Sequence, residues 1–417
     1  MYENKLDEIP VKAVLASVDT GEFDAETSMK ELSELAQTAN AEVVGKVIQK
    51  KNEYDSATCM GSGRLEELKG QIEELGAEII IFDHELTGVQ TRNIENIVNV
   101  RVIDRTTLIL DIFAQRARTK EGKLQVELAQ QKYRLPRLIG MGTVLSRLGG
   151  GIGTRGPGET KLETDKRHIR KRISYLEEEL RNLKKHRDFS RSRRKKDGIL
   201  CVAVVGYTNV GKSTLLNALT DAGVLAENKL FATLDITSRA LELPDGRSVM
   251  LIDTVGLISR LPHNLVEAFK STLEEASSAD VILHVQDLSS PYMEEQAHVA
   301  ENLLSELGCD GIPKINVMNK CDIALNPDIA FENNTTVRIS AKNKYGFERL
   351  LECISENLPE TSRRMKLLIP YSDTAFIGRI RSEGKIFSEE YAENGTVIDA
   401  LVDIKLVSQA EKFTVQD

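Results

Sequence analysis

No stretch of this chain approaches the roughly 18 consecutive apolar residues that a membrane-spanning helix needs. Its first residues, Met1-Tyr-Glu-Asn-Lys5, lack the charged-then-apolar order of a secretion signal. The five cysteines, at positions 59, 201, 309, 321 and 353, show neither the close pairing of a disulfide framework nor metal-type spacing with histidine. They read as reduced thiols of a cytosol, with Cys201 and Cys353 in core positions. The six histidines are scattered, and His284, inside the apolar run Val281–Val285, reads as a core residue. These absences argue against a spanning protein, a disulfide-stapled module and a zinc domain. They predict a cytoplasmic chain without stable membrane insertion, most simply a monomer, and leave peripheral membrane association open. What remains is 417 residues, 41% hydrophobic and 29% charged, enough for two or three domains with their own cores.

Within that frame one motif dominates. Gly206-Tyr207-Thr208-Asn209-Val210-Gly211-Lys212-Ser213 follows the apolar run Ile199–Val205 and precedes the helical pattern Thr214–Leu219. Strand, glycine-rich turn and helix start at the spacing G-x-x-x-x-G-K-S bring backbone N–H groups onto phosphate oxygens at a helix N-terminus. Lys212 then reaches the outer phosphates, and the Ser213 hydroxyl can hold Mg²⁺. A turn that merely connected two elements would not require Lys and Ser at that spacing. The chain is expected to bind a nucleoside triphosphate.

The base is read further along. Asn319-Lys320-Cys321-Asp322 follows the apolar strand Ile312–Met318. The Asp322 carboxylate can accept from both the ring N–H and the amino group of guanine, whereas adenine presents the wrong donors, so discrimination against ATP should be large. The aliphatic stem of Lys320 would cover the base. Ser340-Ala341-Lys342, at the end of the strand Thr336–Ile339, would place a backbone N–H on the guanine carbonyl. Between these lies Asp253-Thr254-Val255-Gly256, closing the strand Val249–Ile252. Asp253 is placed to hold Mg²⁺ through water, and the Gly256 N–H to bond and sense a terminal phosphate. Upstream, Phe231-Ala232-Thr233-Leu234-Asp235 offers Thr233 as a second hydroxyl for Mg²⁺, with Thr237 as the competing choice. Lys212, Thr233, Gly256 and Asn209 are the candidate catalytic residues. Asn209 stands where several bacterial GTPase families use an Asn to help hold K⁺, which makes K⁺ a candidate second cation.

One expected residue is missing. Leu257 follows Gly256, where many GTPases carry a glutamine that orients the attacking water. An aliphatic chain cannot do that, so hydrolysis by the isolated chain should be slow unless a partner arranges the water. His263 is a possible helper, against the simpler reading of a solvated loop histidine.

The net charge of −9 conceals an asymmetry. Residues 101–197 hold 26 Lys+Arg against 12 Asp+Glu, a balance of +14, which leaves −23 for the remainder. A basic block this long argues for a polyanionic partner, because phosphate contacts give affinity through counterion release; a short run would read as a solvated helix face. Neutralising Arg191, Arg193, Arg194 and Lys195 within it is expected to weaken binding to that partner and flatten its salt dependence. Ile169, Ile173, Leu176, Leu180 and Leu183 form an apolar seam on a helix expected from about Glu163 to about Arg194. Leu124, Leu128, Gln131, Leu135 and Leu138 repeat that spacing on a helix from about Lys120, which Pro136 should bend or end. Between the seams, residues 140–159 hold eight glycines. The pattern predicts an antiparallel helical hairpin whose glycine-rich tip carries Arg147, Arg155 and Lys161, a shape suited to an RNA cleft.

Residues 10–118 alternate strands (Val11–Val18, Glu42–Gln49, Ala77–Phe82, Val100–Ile103) with helices (Glu26–Ala39, Leu65–Leu75, Gly88–Val98, Thr107–Arg116), which implies a small parallel sheet covered by helices. Gly61-Ser-Gly-Arg64 opens one helix; a second anion site there competes with a plain helix-entry turn. After about Pro359 a tail with strands Met365–Ile369 and Val397–Val402 and a helix Phe376–Arg381 is expected. The expected fold is therefore α/β: a small parallel α/β domain (1–118), a basic helical hairpin (119–197), a P-loop GTPase domain (198–359) and a small α+β tail (360–417).

The chain resembles the HflX family of bacterial ribosome-associated GTPases over nearly its whole length. The most specific segments are Gly153-Thr-Arg-Gly-Pro-Gly-Glu-Thr-Lys-Leu-Glu-Thr-Asp-Lys-Arg167, Val126-Glu-Leu-Ala-Gln130 and Tyr133-Arg-Leu-Pro-Arg-Leu138. Gly61-Ser-Gly-Arg-Leu-Glu-Glu-Leu68 also fits, with Arg64 where Lys is common, and the match is loosest over the acidic tail. The resemblance implies docking of the N-terminal half on the large ribosomal subunit and its rRNA, with the hairpin tip towards the peptidyl-transferase region. It also implies that the GTP-bound form splits stalled or idle ribosomes, and that ribosomes stimulate hydrolysis. Two other classes stay open: an assembly or RNA-modification GTPase, and a hibernation-type binding protein gated by nucleotide.

Overall fold

The computed structural model describes residues 10–138, 157–196, 198–220, 230–231, 237–260, 262, 265, 274–324 and 333–414, with backbone only for 157–162 and 195. Contacts group the chain into two units, more coarsely than the four-part division expected from the sequence. One holds Met1–Arg187 together with Glu227–Asp235 and Ile258–Thr272; the other holds Asp188–Ala226, Ile236–Leu257 and Leu273–Asp417.

The first unit is built on four parallel strands, β1 (Val11–Asp19), β2 (Ala41–Lys50), β3 (Ile79–Phe82) and β4 (Arg101–Asp104), in the order β2-β1-β3-β4. Central β1 has six consecutive buried residues, as a parallel strand covered on both faces must, whereas edge β2 is mostly half-exposed. Helices α1 (Ala25–Thr38), α2 (Ser62–Leu75), α3 (Gly88–Val98) and α4 (Arg105–Arg116) cover it. Three of them begin on side-chain caps: Asp24 for α1, a Thr87/Gln90 capping box for α3 and Asp104 for α4. Gly61-Ser-Gly-Arg64 is the entry turn of α2, with the Gly61 N–H donating to Gln49 Oε1 at 2.8 Å and Arg64 paired with Glu67.

α5 (Lys120–Arg137) contains Pro136 in its last turn and ends one residue later. α6 (Pro157–Lys196) has 40 residues, about 60 Å at 1.5 Å per residue. Lys120–Glu179 (3.0 Å), Glu121–Arg187 (2.7 Å), Glu127–Arg172 (2.6 Å) and Lys132–Glu177 (3.0 Å) join the two helices as antiparallel neighbours. In the seam, Leu128, Leu138 and Leu176 are buried and the remaining members half-buried. The other face of α5 buries Val126, Ala129 and Tyr133, whose hydroxyl donates to Asp104. Of the expected glycine-rich tip, residues 139–156, with Arg147 and Arg155, lie outside the described residues, while 157–159 already belong to α6, which begins earlier than the expected Glu163.

The second unit carries a six-stranded sheet in the order β10-β9-β8-β5-β7-β6. Its strands are β5 (Leu200–Gly206), β6 (Thr237–Glu242), β7 (Ser248–Asp253), β8 (Val281–Asp287), β9 (Lys314–Asn319) and β10 (Thr336–Arg338), parallel except for β6. β5 is buried at every position, and His284 is 1% exposed within β8. α7 (Lys212–Thr220), α8 (Met293–Glu306) and α9 (Phe347–Asn357) accompany the sheet. The tail forms a three-stranded antiparallel sheet, β11 (Ser362–Ile369), β13 (Gly395–Asp403) and β12 (Lys385–Ala392), in that order, with α10 (Thr374–Glu383) and α11 (Ile404–Ala410) on its apolar face. Strand β12 and helix α11 are absent from the sequence reading.

Candidate nucleotide-binding and hydrolysis site

The carboxyl ends of β5, β7 and β9 bring the three motif loops together. The turn from β5 into α7 needs its glycines for space: a Cβ on Gly206 (φ +158°) would lie 2.3 Å from the Val285 carbonyl oxygen, and one on Gly211 (φ +96°) 2.4 Å from Asn319 Nδ2. Asn209 takes the left-handed conformation (φ 62°), which Asn tolerates better than most residues. Tyr207, Thr208 and Val210 are buried and Asn209 is exposed.

Lys212 opens α7 and is 6% exposed. Its ammonium donates to the carbonyls of Gly206 (2.9 Å) and Tyr207 (2.6 Å). Burial pushes its pKa down to about 8, against the attraction of Asp253. A neutral carbonyl compensates a buried cation poorly, and a phosphate would compensate it well. Ser213 Oγ donates to Asp253 Oδ2 at 3.0 Å, so a hydroxyl and a fully buried carboxylate converge beside the lysine. These hard oxygen donors fit a Mg²⁺ ion shared with phosphate oxygens. Thr254 turns its hydroxyl away, onto the Val204 carbonyl at 2.8 Å.

The loop after β7 lies directly on the phosphate loop. Thr208 N–H donates to the Leu257 carbonyl (2.7 Å) and Leu257 N–H to the Gly206 carbonyl (3.1 Å). A Cβ on Gly256 would meet Thr208 Cγ2 at 2.9 Å and Lys212 Nζ at 3.2 Å, so nothing larger than glycine fits there. The Leu257 side chain, 3% exposed, packs in the core among Ala203, Val205, Ala276 and Ile282. The position that often holds a glutamine therefore faces the sheet and not the phosphates.

Asn319 holds the base-side loops. Its Nδ2 donates to the Val210 carbonyl (2.7 Å) and its Oδ1 accepts from Ala341 N–H (2.9 Å), tying the phosphate loop to Ser340-Ala341-Lys342. Of the backbone N–H groups of that segment, Ala341's is thus engaged with Asn319. Lys320 pairs with Asp287 at 2.6 Å, and Asp322 and Lys342 are exposed. Cys321 N–H bonds the Ile339 carbonyl at 3.2 Å.

Of the upstream segment, Ala232, Thr233, Leu234 and Asp235 lie outside the described residues, as does His263. Phe231 is described and belongs to the first unit. Its ring stacks edge-on against Phe113 at 4.6 Å, and the preceding Leu230 N–H bonds Thr38 Oγ1 at 3.3 Å. Its side chain is buried in that packing.

Sequence reasoning also missed the role of the two polar residues just beyond Leu257 and Ile258. Ser259 and Arg260 count with the first unit, where β1 and β3 meet at the sheet's switch point. Ser259 Oγ donates to Glu31 (2.6 Å) and its carbonyl accepts from Arg105 (3.2 Å). Arg260 pairs with the buried Asp83 (2.5 Å), donates to Ser28 and lies 3.9 Å over the Phe23 ring. Asp83 also takes Arg105 at 3.0 Å. The one local signal was acidic residues closing parallel strands. In the second unit, Arg191 reaches Glu275 at 2.7 Å and Arg194 the same carboxylate at 3.6 Å. Two of the four cations expected to face RNA therefore neutralise a carboxylate that is itself 5% exposed.

A strand, glycine turn and helix with a buried lysine, a serine beside a strand-end aspartate, and an Asn-Lys-Cys-Asp loop tied to the turn define a P-loop GTPase. Residues 26–114 match the family described as GTP-binding GTPase N-terminal, 116–194 the GTP-binding GTPase Middle Region, and 201–320 the 50S ribosome-binding GTPase. The GTPase HflX of Caldanaerobacter subterraneus subsp. tengcongensis is 53% identical over 404 residues, covering 97% of this chain and 94% of that one. That of Escherichia coli is 40% identical over 383 residues, 90% of each chain. Among solved structures, SsGBP in complex with GDP aligns over 84% of this chain and 99% of its own, at 25% identity and a TM-score of 0.48. The chain belongs to the HflX family, and it is an enzyme that hydrolyses GTP.

Proposed function

We propose that this GTPase is a Mg²⁺-dependent switch that binds the large ribosomal subunit and, with GTP bound, separates stalled or idle ribosomes into subunits. Lys212, Ser213, Asp253 and Thr233 hold phosphates and metal in this reading, the Gly256 N–H senses the terminal phosphate, and Lys320 and Asp322 select guanine with Asn319 holding their loop. K⁺ beside Asn209 belongs to the same proposal. The observation that carries the ribosomal part is the long basic helix α6, paired with α5 so that Arg167, Arg170, Lys171 and Lys185 are exposed along it. A rod about 60 Å long whose charge is predominantly positive matches a deep phosphate-lined cleft better than a compact protein partner. Family membership and the 50S ribosome-binding description matched by residues 201–320 support it. With Leu257 turned into the core, hydrolysis depends on stimulation by the bound particle.

Sedimentation of mature ribosomes with the protein and GTP, a non-hydrolysable analogue or GDP tests the reading. Conversion to free subunits with either triphosphate, and not with GDP, is expected. Intact ribosomes carrying bound protein would instead support a storage role and remove splitting.

A further inference from the structure

Thr208 is 5% exposed, and its Oγ1 is buried with no hydrogen-bond partner among the described residues. A buried hydroxyl without a partner is costly, and such atoms concentrate where a ligand completes them. The location of this one is specific. The point where a Gly256 Cβ would sit is 2.9 Å from Thr208 Cγ2, 3.2 Å from Thr208 Cα and 3.2 Å from Lys212 Nζ. Gly256, whose N–H is read to bond the terminal phosphate, therefore adjoins both the Thr208 side chain and the Lys212 ammonium. The residue that usually positions the attacking water is here an aliphatic side chain packed in the core.

We propose that the Thr208 hydroxyl is a catalytic group of GTP hydrolysis, donating to a terminal-phosphate oxygen and accepting from the attacking water. This rests on the phosphate-loop reading of residues 206–213 and assigns to a side chain what that reading leaves to backbone N–H groups. In the step, the water oxygen bonds the terminal phosphorus as the bond to the bridging oxygen breaks. GDP leaves with that oxygen, and the water proton passes to a terminal-phosphate oxygen. The threonine is neither consumed nor charged; it orients, as hydrogen-bond donors near developing charge do.

The test compares Thr208→Val, which keeps the shape and removes the hydroxyl, with Thr208→Ser, which keeps the hydroxyl. Full-length protein is assayed for kcat, for affinity towards fluorescent GDP and GTP, and for melting temperature without nucleotide. Thr208→Val should lower kcat by about 10- to 100-fold, the loss of one transition-state hydrogen bond, with GDP affinity within about twofold. It should also raise the melting temperature, since the orphaned atom is gone. Thr208→Ser should recover kcat to within about threefold. A kcat within twofold of wild type in Thr208→Val, or a serine variant as slow as the valine one, overturns the proposal. A valine variant that is both slower and less stable also overturns it, since it marks a structural hydroxyl. Lys212→Ala binding GDP as tightly as wild type would sink the phosphate-loop reading separately.

Discussion

Both units end a parallel sheet on polar residues, and the two ends differ in who neutralises them. In the first unit Asp83, at the carboxyl end of β3, is surrounded by the protein's own cations, Arg105 at 3.0 Å and Arg260 at 2.5 Å. In the second, Lys212 follows β5 with backbone carbonyls and a pKa of about 8. One carboxyl edge is closed by internal ion pairs; at the other the cation's hydrogen-bond partners are neutral carbonyls, and the nearby Asp253 carboxylate accepts from Ser213. The same architecture therefore yields a structural joint in one place and an anion site in the other. The distribution of charge within the fold, not the fold itself, tells them apart.

The sharpest way to break that comparison is Lys212→Ala. Loss of the buried cation should weaken GTP binding by roughly 100-fold or more and remove hydrolysis, with little loss of folding stability because the lysine's burial is itself unfavourable. Fluorescent-nucleotide titration and thermal melting check both parts. Asp83→Ala should do the opposite: destabilise the first unit by about 3–5 kcal/mol, since it takes a buried carboxylate from two guanidiniums at once, while nucleotide chemistry at β5 survives. Arg260→Ala, a third exposed in its side chain, should cost only about 1 kcal/mol. Hydrogen exchange resolved by segment would separate these. Equal destabilisation by the two would show that Asp83 is not the hub.

A third contrast lies along α6. Arg170→Gln with Lys171→Gln should weaken ribosome binding severalfold and reduce its salt slope by about two, with folding unchanged. Arg191→Gln should instead lower stability by about 1–3 kcal/mol through the buried Glu275 and affect binding less. If both changes act alike on binding, the division of α6 into an RNA-facing and a structural end fails.

The smallest effect is pH. His84 Nε2 accepts the Val18 N–H at 2.8 Å, and burial lowers its pKa. The unfolded chain takes up a proton near the ordinary value of about 6.5 and the folded one does not. Stability of the first unit should thus fall as pH drops below about 6.5, until the folded pKa is passed. His84→Gln should flatten that dependence in acid melts; an unchanged slope would clear the histidine.

Locality decides how much could be read in advance. The β5–turn–α7 unit, the alternation of the first sheet and the α5/α6 seams each depend on residues within one or two turns, and each stands in the structure. Strand β12 was missed because Ser388-Glu-Glu390 interrupts an exposed edge strand, leaving no apolar alternation to detect. Arg260 and Asp83 are 177 residues apart and Arg191 and Glu275 are 84 apart, so no local pattern announces either pair. The orientation of Leu257 and the isolation of the Thr208 hydroxyl are products of packing; sequence showed the missing glutamine but not where its substitute stands.

The central claim is that a terminal phosphate on bound guanine nucleotide decides how firmly the protein grips the large subunit. By linkage, whatever factor GTP adds to that affinity, the subunit must add to the affinity for GTP. The direct measurement is equilibrium binding of the full chain to purified large subunits with a non-hydrolysable GTP analogue and with GDP at one salt concentration. At least tenfold tighter binding with the analogue is predicted; indistinguishable dissociation constants would contradict the account.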